Sequence, residues 1–150
     1  MNLELTKNER SNLRKHKIRK ADILDYAVDE LSDLLQVSYQ RAEELYALAD
    51  FQRIPSVGIK FAQDLYFLGF RKVEDLKDKI GPSLLDTYEK QKGFWTDPCV
   101  EDQFWLVVHF AKTQDRRKRW WDFTESRKKH RSENGYPKDR PETCWYDLGK

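Results

Sequence analysis

One short run, Ile54-Pro55-Ser56-Val57-Gly58, constrains this chain more than any other because it interrupts two apolar helical stripes. Proline cannot continue a helix, and it biases the residue before it toward extended backbone. Glycine is predicted to supply the turn, and Ala62 and Leu65 follow at helical spacing. The run therefore predicts a helix that ends before Pro55, a tight turn, and a second helix over 59–68.

Capping residues, prolines and glycines elsewhere in the chain also predict helix starts and ends. Predicted helix starts are Thr6 with Glu9 in capping-box spacing, Ser38, Pro82, and Asp97 before Pro98; Gly69, Gly93 and Gly135 mark predicted ends. Asp115 and Thr124 predict caps of two further short helices. Since no strand-like alternation is sustained anywhere, the predicted fold is all-α, a helix bundle.

The turn at 54–58 has an earlier counterpart. Leu34-Leu35-Gln36-Val37-Ser38, followed by Ala42 and Leu45, repeats the rhythm of the later turn and its helix. We interpret residues 28–50 as a degenerate first copy whose turn has lost its glycine. Chance similarity between two amphipathic helices is the alternative interpretation.

The order of residues around 54–65 resembles the helix-hairpin-helix motif of DNA repair, replication and recombination proteins. Three further stretches are similar to small bacterial helix-hairpin-helix proteins of the "pathogenicity locus" family: Leu68–Leu76, Asp97–Phe104 and Trp120–Thr124. The resemblance implies paired helix-hairpin-helix units, one complete and one degenerate, with a C-terminal helical extension. It implies little about activity, because the family name records a genetic location.

Charge is distributed unevenly although the net charge is only +2. Residues 7–20 and 112–131 are basic, whereas residues 21–50 are acidic. We predict a basic N-terminal arm (1–20), a helix-hairpin-helix core (21–113) and a basic, aromatic C-terminal extension (114–150) packed on the core. Basic runs bind phosphates, but they also form solvated helix faces or pair with acidic segments of their own chain.

The resemblance and the charge pattern lead to one leading function, binding of nucleic acid, DNA above all, without sequence specificity. Hairpin N–H groups at a helix start suit a phosphate. The candidate binding residues are Pro55, Ser56, Val57, Gly58, Ile59 and Lys60 in the turn, and Arg116, Arg117, Lys118 and Arg119 in the second basic run. Their alternatives are a packing turn that binds nothing, and solvated arginines beside indoles that fill the core. For Trp120 and Trp121 we favour burial in the core.

Ser56 departs from the glycine-hydrophobe-glycine pattern common in DNA-binding hairpins. Serine retains such a turn if its φ is negative, and its hydroxyl group could donate to a phosphate. A positive φ is instead expected, if anywhere, at Gly58. The alternative function is a protein-interaction module in which the hairpins only pack.

Catalytic and metal-binding patterns do not stand out. We recognise no paired acidic metal site, nucleophile elbow or phosphate-binding loop, so no enzyme, cofactor or metal is predicted. His109 is interpreted as a partly buried, satisfied histidine. The chain lacks an apolar run of membrane-spanning length and a signal-peptide pattern, and Cys99 and Cys144 fit no disulfide framework. A cytoplasmic location away from membranes is therefore expected.

Overall fold

The computed structural model describes residues 1–148, and its α-helices are α1 (Lys7–Lys15), α2 (Val28–Leu35), α3 (Tyr39–Phe51), α4 (Ile59–Phe67), α5 (Gly81–Lys92), α6 (Pro98–Thr113) and α7 (Thr124–Asn134). Short 3-10 helices span Lys20–Asp25, Val73–Leu76, Trp120–Phe123 and Trp145–Asp147. Across residues 1–148 the β structure is limited to an isolated bridge between Trp95 and Cys144. The all-α prediction is confirmed. None of the described helices is long and apolar enough to cross a membrane.

Helix boundaries follow local signals closely. Thr6, Ser38 and Asp97 each accept a hydrogen bond from a backbone N–H group of the first turn that follows them, as predicted. Gly93 ends α5 in the left-handed region with φ of 82°. The short helix predicted after Asp115 is wrong, because residues 114–119 form a loop in which the Asp115 carboxylate accepts the N–H of Arg117 instead.

The chain divides into two compact units, Met1–Asp75 and Leu76–Lys150. In the first unit, α3 packs against both α2 and α4. Ala42 and Ala62 are fully buried at these contacts and, being small, let neighbouring helices approach closely. The rest of this core is made of large apolar side chains with at most 1% exposure, including Leu31, Leu35, Leu45, Leu48, Phe51 and Leu65.

An ion pair fastens α1 to this unit. The Arg41 guanidinium on α3 donates to both carboxylate oxygens of Glu9, at 2.8 and 2.9 Å. Glu9 also completes the capping box by accepting the N–H of Thr6 at 2.9 Å. The hydrogen bond from Arg41 lowers the pKa of Glu9 against the opposing effect of burial.

The second unit is built on the contact between α5 and α6. Phe104, Leu106, Val107 and Phe110 of α6 are at most 1% exposed, so this helix contributes much of the core of the unit. Gly81 makes the close approach of α5 possible. A Cβ atom at that position would lie 3.0 Å from the Cα atom of Trp105, a contact tight enough that the neighbouring backbone would have to shift slightly.

Three buried carboxylates of α5 and α6 pair with arginines from the C-terminal part of the chain. Asp102 accepts from Arg127 at 2.6 Å, Glu101 from Arg131 at 3.0 Å, and Glu89 from Arg140 at 2.7 Å. These carboxylate residues have no exposed surface, and burial raises the pKa of Glu101 despite its arginine partner. Because a buried charge is costly without a partner, each arginine is a structural component.

Candidate nucleic-acid interface

The connection between α3 and α4 is a compact turn anchored by two apolar side chains. Ile54 and Val57 are buried, and the N–H of Val57 donates to the carbonyl of Ile54 at 3.1 Å. Pro55 and Ile59 are half-buried, whereas Ser56, Gly58 and Lys60 are exposed. The structure therefore brings the first six predicted binding residues together in one turn, with the second, fourth and sixth of them on the surface.

The backbone of this turn differs from expectation at two residues. Ser56 has the positive φ, 67°, whereas Gly58 has φ of −102° and ψ of −172°, which any residue adopts. The condition under which serine was expected to retain the turn, a φ that is not positive, is therefore not met at Ser56. Serine reaches the left-handed region at an energetic cost, since its Cβ atom crowds the backbone there. A β-branched residue at position 58 would not be strained by φ.

The shorter turn between α2 and α3 shares its last three residues' pattern with this turn. Gln36 has a positive φ of 56°, as Ser56 does, and Val37 follows it as Val57 follows Ser56. Ser38 and Gly58 are the extended N-cap residues of α3 and α4. The predicted similarity between the two segments thus extends to their backbone conformation.

The two turns differ in how each helix start is capped. The side chain of Ser38 accepts the N–H of Arg41 at 3.1 Å, so α3 closes its own N-terminus. Gly58 has no side chain, and α4 begins without a side-chain cap. The first N–H groups of a helix lack intrahelical acceptors, so a helix start without a side-chain cap is the kind of position at which anions bind. Lys60 lies in that first turn and is exposed.

The second predicted group, Arg116–Arg119, lies in the loop between α6 and the 3-10 helix at Trp120. The guanidinium of Arg117 bonds to Asp115 at 3.0 Å, and this contact lowers the pKa of Asp115 well below its ordinary range. Arg119 donates to the carbonyls of Arg116 and Lys118. Arg116 and Lys118 are exposed, so the loop carries positive charge at the surface although Arg117 is locally neutralised.

The adjoining tryptophans are less buried than predicted. Trp121 is 55% exposed and Trp120 is half-buried, with their rings edge to face at a centroid distance of 5.4 Å. The expectation that both indoles fill the core is wrong for Trp121. The sequence run of basic residues beside two indoles was the available signal for an exposed ring here.

His109 and the other potential metal ligands are dispersed. No group of three or more His, Cys, Asp or Glu side chains that could hold a metal ion occurs in the part of the chain that the structure describes. His109 is half-buried, lies 3.4 Å from the Asp115 carboxylate through Nε2, and packs on the ring of Phe123. Its predicted role as a partly buried, satisfied histidine is consistent with these contacts.

Comparison with known proteins places this all-α chain, with its repeated helical turn, in a family. The profile of the family described as "Pathogenicity locus", Cdd1, matches residues 44–129, which is more than half of the chain. The chain belongs to the pathogenicity locus family. The match begins within α3, includes the turn at 54–58 and the loop at 116–119, and ends within α7. No curated protein and no solved structure matches the chain.

Proposed function

We propose that the 54–58 turn is a helix-hairpin-helix hairpin and that the protein is a cytoplasmic accessory factor that binds nucleic acid, DNA above all. The uncapped N-terminus of α4 would accept a backbone phosphate, and Lys60 would add a positive charge beside it. Because phosphates carry no base identity, such binding is independent of sequence. The protein acts here as a binding module and not as an enzyme.

One observation carries this proposal: both turns have a positive φ two residues before an extended N-cap residue, but they differ in capping. Ser38 caps its own helix with its hydroxyl group, whereas Gly58 has no side chain with which to cap α4. A turn that only packs would gain from a serine cap, since serine at this position stabilises a helix by a few tenths of a kcal/mol relative to glycine. The glycine therefore sacrifices stability for access to the backbone, as phosphate binding requires.

Gly58→Ser is the variant that separates these roles. The new side chain finds no atom within 4 Å of its Cβ position, so the fold should be retained and slightly stabilised. Its hydroxyl group would cap α4 and compete with phosphate, so affinity for DNA should fall. Fluorescence anisotropy with labelled duplexes of unrelated sequence, together with thermal melting, measures both effects. Unchanged affinity in a stable variant would contradict the hairpin as the phosphate site.

Lys60→Ala is the complementary variant. Removing one phosphate contact should weaken binding to every sequence alike and reduce the salt slope by about one unit. Lys72→Ala is its control, because Lys72 is also an exposed lysine of the first unit but lies outside the turn. Equal salt slopes for the two variants would argue that Lys60 does not face the nucleic acid. Absence of binding by the native protein at low salt would refute the function itself.

An exposed aromatic cluster favours a second candidate function, a protein-interaction module. Trp145 and Tyr146 are 42% and 58% exposed, and their rings pack edge to face at 5.6 Å. Leu148 beside them is 53% exposed. Exposed aromatic side chains of this kind are enriched in protein interfaces. Nuclease-resistant capture of one partner from lysate, lost in Tyr146→Ser, would support this function over nucleic-acid binding.

A further inference from the structure

The second unit contains a surface groove of about 370 Å³ that the sequence did not indicate. It lies where the start of α5, the middle of α6, the 3-10 helix Trp120–Phe123 and α7 meet. Ile80, Trp105, His109, Lys112, Phe123 and His130 form most of its wall. Its volume falls within the roughly 300–1,000 Å³ range of small-molecule sites. The groove is therefore large enough to accept a ring with its attached groups.

The walls of the groove present aromatic rings in fixed positions. Phe123 packs on His109 at a centroid distance of 5.4 Å, and Trp105 packs on His130 at 5.9 Å. The indole N–H of Trp105 donates to Glu101 at 3.2 Å, which sets the orientation of that ring. Such pre-positioned rings offer a stacking surface whose side-chain freedom is already lost before a ligand binds.

The rim of the groove is basic and contains one residue that stability does not explain. Lys79 and Lys112 line it, and none of its lining residues is a carboxylate. Ile80 is 62% exposed at the N-cap of α5, where it provides no cap hydrogen bond. Isoleucine is among the poorest N-cap residues, and because this side chain is mostly exposed it adds little hydrophobic stabilisation to the fold. A large apolar residue at this rim is suited to contact a ligand.

We propose that this groove binds a base of single-stranded nucleic acid. The base would lie against Phe123 and Ile80, and Lys112 would attract the adjoining phosphate, the combination of stacking and charge used by single-strand binding proteins. Lys112 is followed a few residues later in the sequence by Arg116 and Lys118, which extend positive charge beyond the groove. That extension suits a polymer of phosphates better than one nucleotide. The inference rests on the proposed function for its ligand class but uses different residues.

The first test compares strands of equal charge at low salt. A labelled oligo(dT) should bind about tenfold more tightly than a strand of the same length with abasic positions, because only the former can stack. Thymidine monophosphate should compete weakly. Equal affinity for the two strands would overturn the proposal. Complete displacement of oligo(dT) by micromolar thymidine monophosphate would also contradict it, because the groove would then be a site for a free nucleotide.

Two variants assign the effect to the groove. Ile80→Asp adds a negative charge at the rim while supplying an N-cap for α5, so melting temperature should rise and oligo(dT) affinity should fall about tenfold. Phe123→Leu keeps an apolar side chain but removes the stacking ring, and it should abolish the difference between the dT and abasic strands. Lys138→Ala is the control for Ile80→Asp, since it makes the same change in net charge at an exposed site of the same unit.

The outcome distinguishes this inference from the hairpin proposal. If both groove variants bind oligo(dT) like the native protein while Gly58→Ser weakens binding, the groove proposal is wrong and the hairpin stands. If Gly58→Ser and Lys60→Ala leave affinity unchanged while Ile80→Asp lowers it, the groove is the nucleic-acid site. A native protein that binds no oligo(dT) at low salt refutes the groove regardless of the hairpin result.

Discussion

Ser56 occupies a backbone conformation that suits glycine better. Its φ of 67° lies in the left-handed region, where an L-residue with a Cβ atom costs about 1–2 kcal/mol. Ser56→Gly should remove this conformational cost from the folded state. Glycine also gives the unfolded chain more freedom, which offsets part of the gain, so the net stabilisation should be about 0.5–1 kcal/mol. Urea denaturation measures the change.

Ser83→Gly provides the matched comparison, because Ser83 is an exposed serine within α5 and has no positive φ. Glycine inside a helix should instead destabilise the protein by about 0.5–1 kcal/mol relative to a better helix former. Destabilisation by both substitutions would mean that Ser56 makes a side-chain contribution larger than its backbone cost.

At this scale the sequence identified the right turn but assigned the strain to the wrong residue. Glycine is the usual occupant of the left-handed region, so the pattern favoured Gly58. The similarity of Gln36-Val37-Ser38 to Ser56-Val57-Gly58 contained the correction, since a shared turn puts the positive φ at its first residue in both copies. For Trp121 the neighbouring basic run was only a weak signal of exposure, because burial of an indole depends on distant elements.

Among the elements, α1 depends on a titratable contact. Arg41 lowers the pKa of Glu9 from its ordinary value of 4.5, so this carboxylate adds stability that is complete above about pH 4.5 and lost as pH falls through the lowered pKa. Glu9→Gln should cost about 1–3 kcal/mol at pH 7. It should also make melting temperature less dependent on pH below 4.5. Circular dichroism melts between pH 7 and pH 3 test this, with the exposed Glu133→Gln as control.

The attachment of α7 to α6 depends on a buried ion pair. Asp102 accepts from the Arg127 guanidinium and from the Thr124 hydroxyl group, and its side chain is 1% exposed. Asp102→Asn leaves the arginine charge without its counterion and should cost about 3–5 kcal/mol. Thermal melting measures the loss, and Asp78→Asn at an exposed site should be nearly neutral. Replacing Asp102 and Arg127 together by leucine should cost less than Asp102→Asn alone.

Helices were predictable because their signals lie within a few residues, whereas the pairs between them were not. The capping residues Thr6, Ser38 and Asp97 act on the turn that follows each of them. Glu89 and Arg140, by contrast, meet only after the chain has folded. A basic residue that will neutralise a buried carboxylate looks, in the sequence, the same as one that will meet a phosphate.

For the whole molecule, net charge is therefore a poor guide to binding. Arg41, Arg127, Arg131 and Arg140 are each bonded to carboxylates, so the 28 lysines and arginines overstate the charge available to a ligand. Nucleic-acid binding must depend on local groups such as Lys60 and the 116–119 loop. The salt slope should accordingly be shallow, at about −5 or less steep in log K against log salt.

Balanced charge has a second measurable effect. The isoelectric point calculated from the sequence is about 8.4, close to common buffer conditions, and proteins with little net charge associate readily. Turbidity of the concentrated protein at low salt should therefore be greatest near pH 8.4 and should clear toward pH 6. If a short oligonucleotide binds, its negative charge should lower the pH at which turbidity is greatest, and repeating the pH series with the oligonucleotide present measures this shift.

Gly58 and Gly81 should differ in which other residues the family tolerates at their positions. At position 81 a side chain would meet the backbone of Trp105, so packing alone should favour glycine in family members. At position 58 space is open and φ is ordinary, so packing permits drift to serine or alanine. Persistence of Gly58 across distant relatives would therefore be a record of selection for an exposed backbone, whereas persistence of Gly81 would record only the fold.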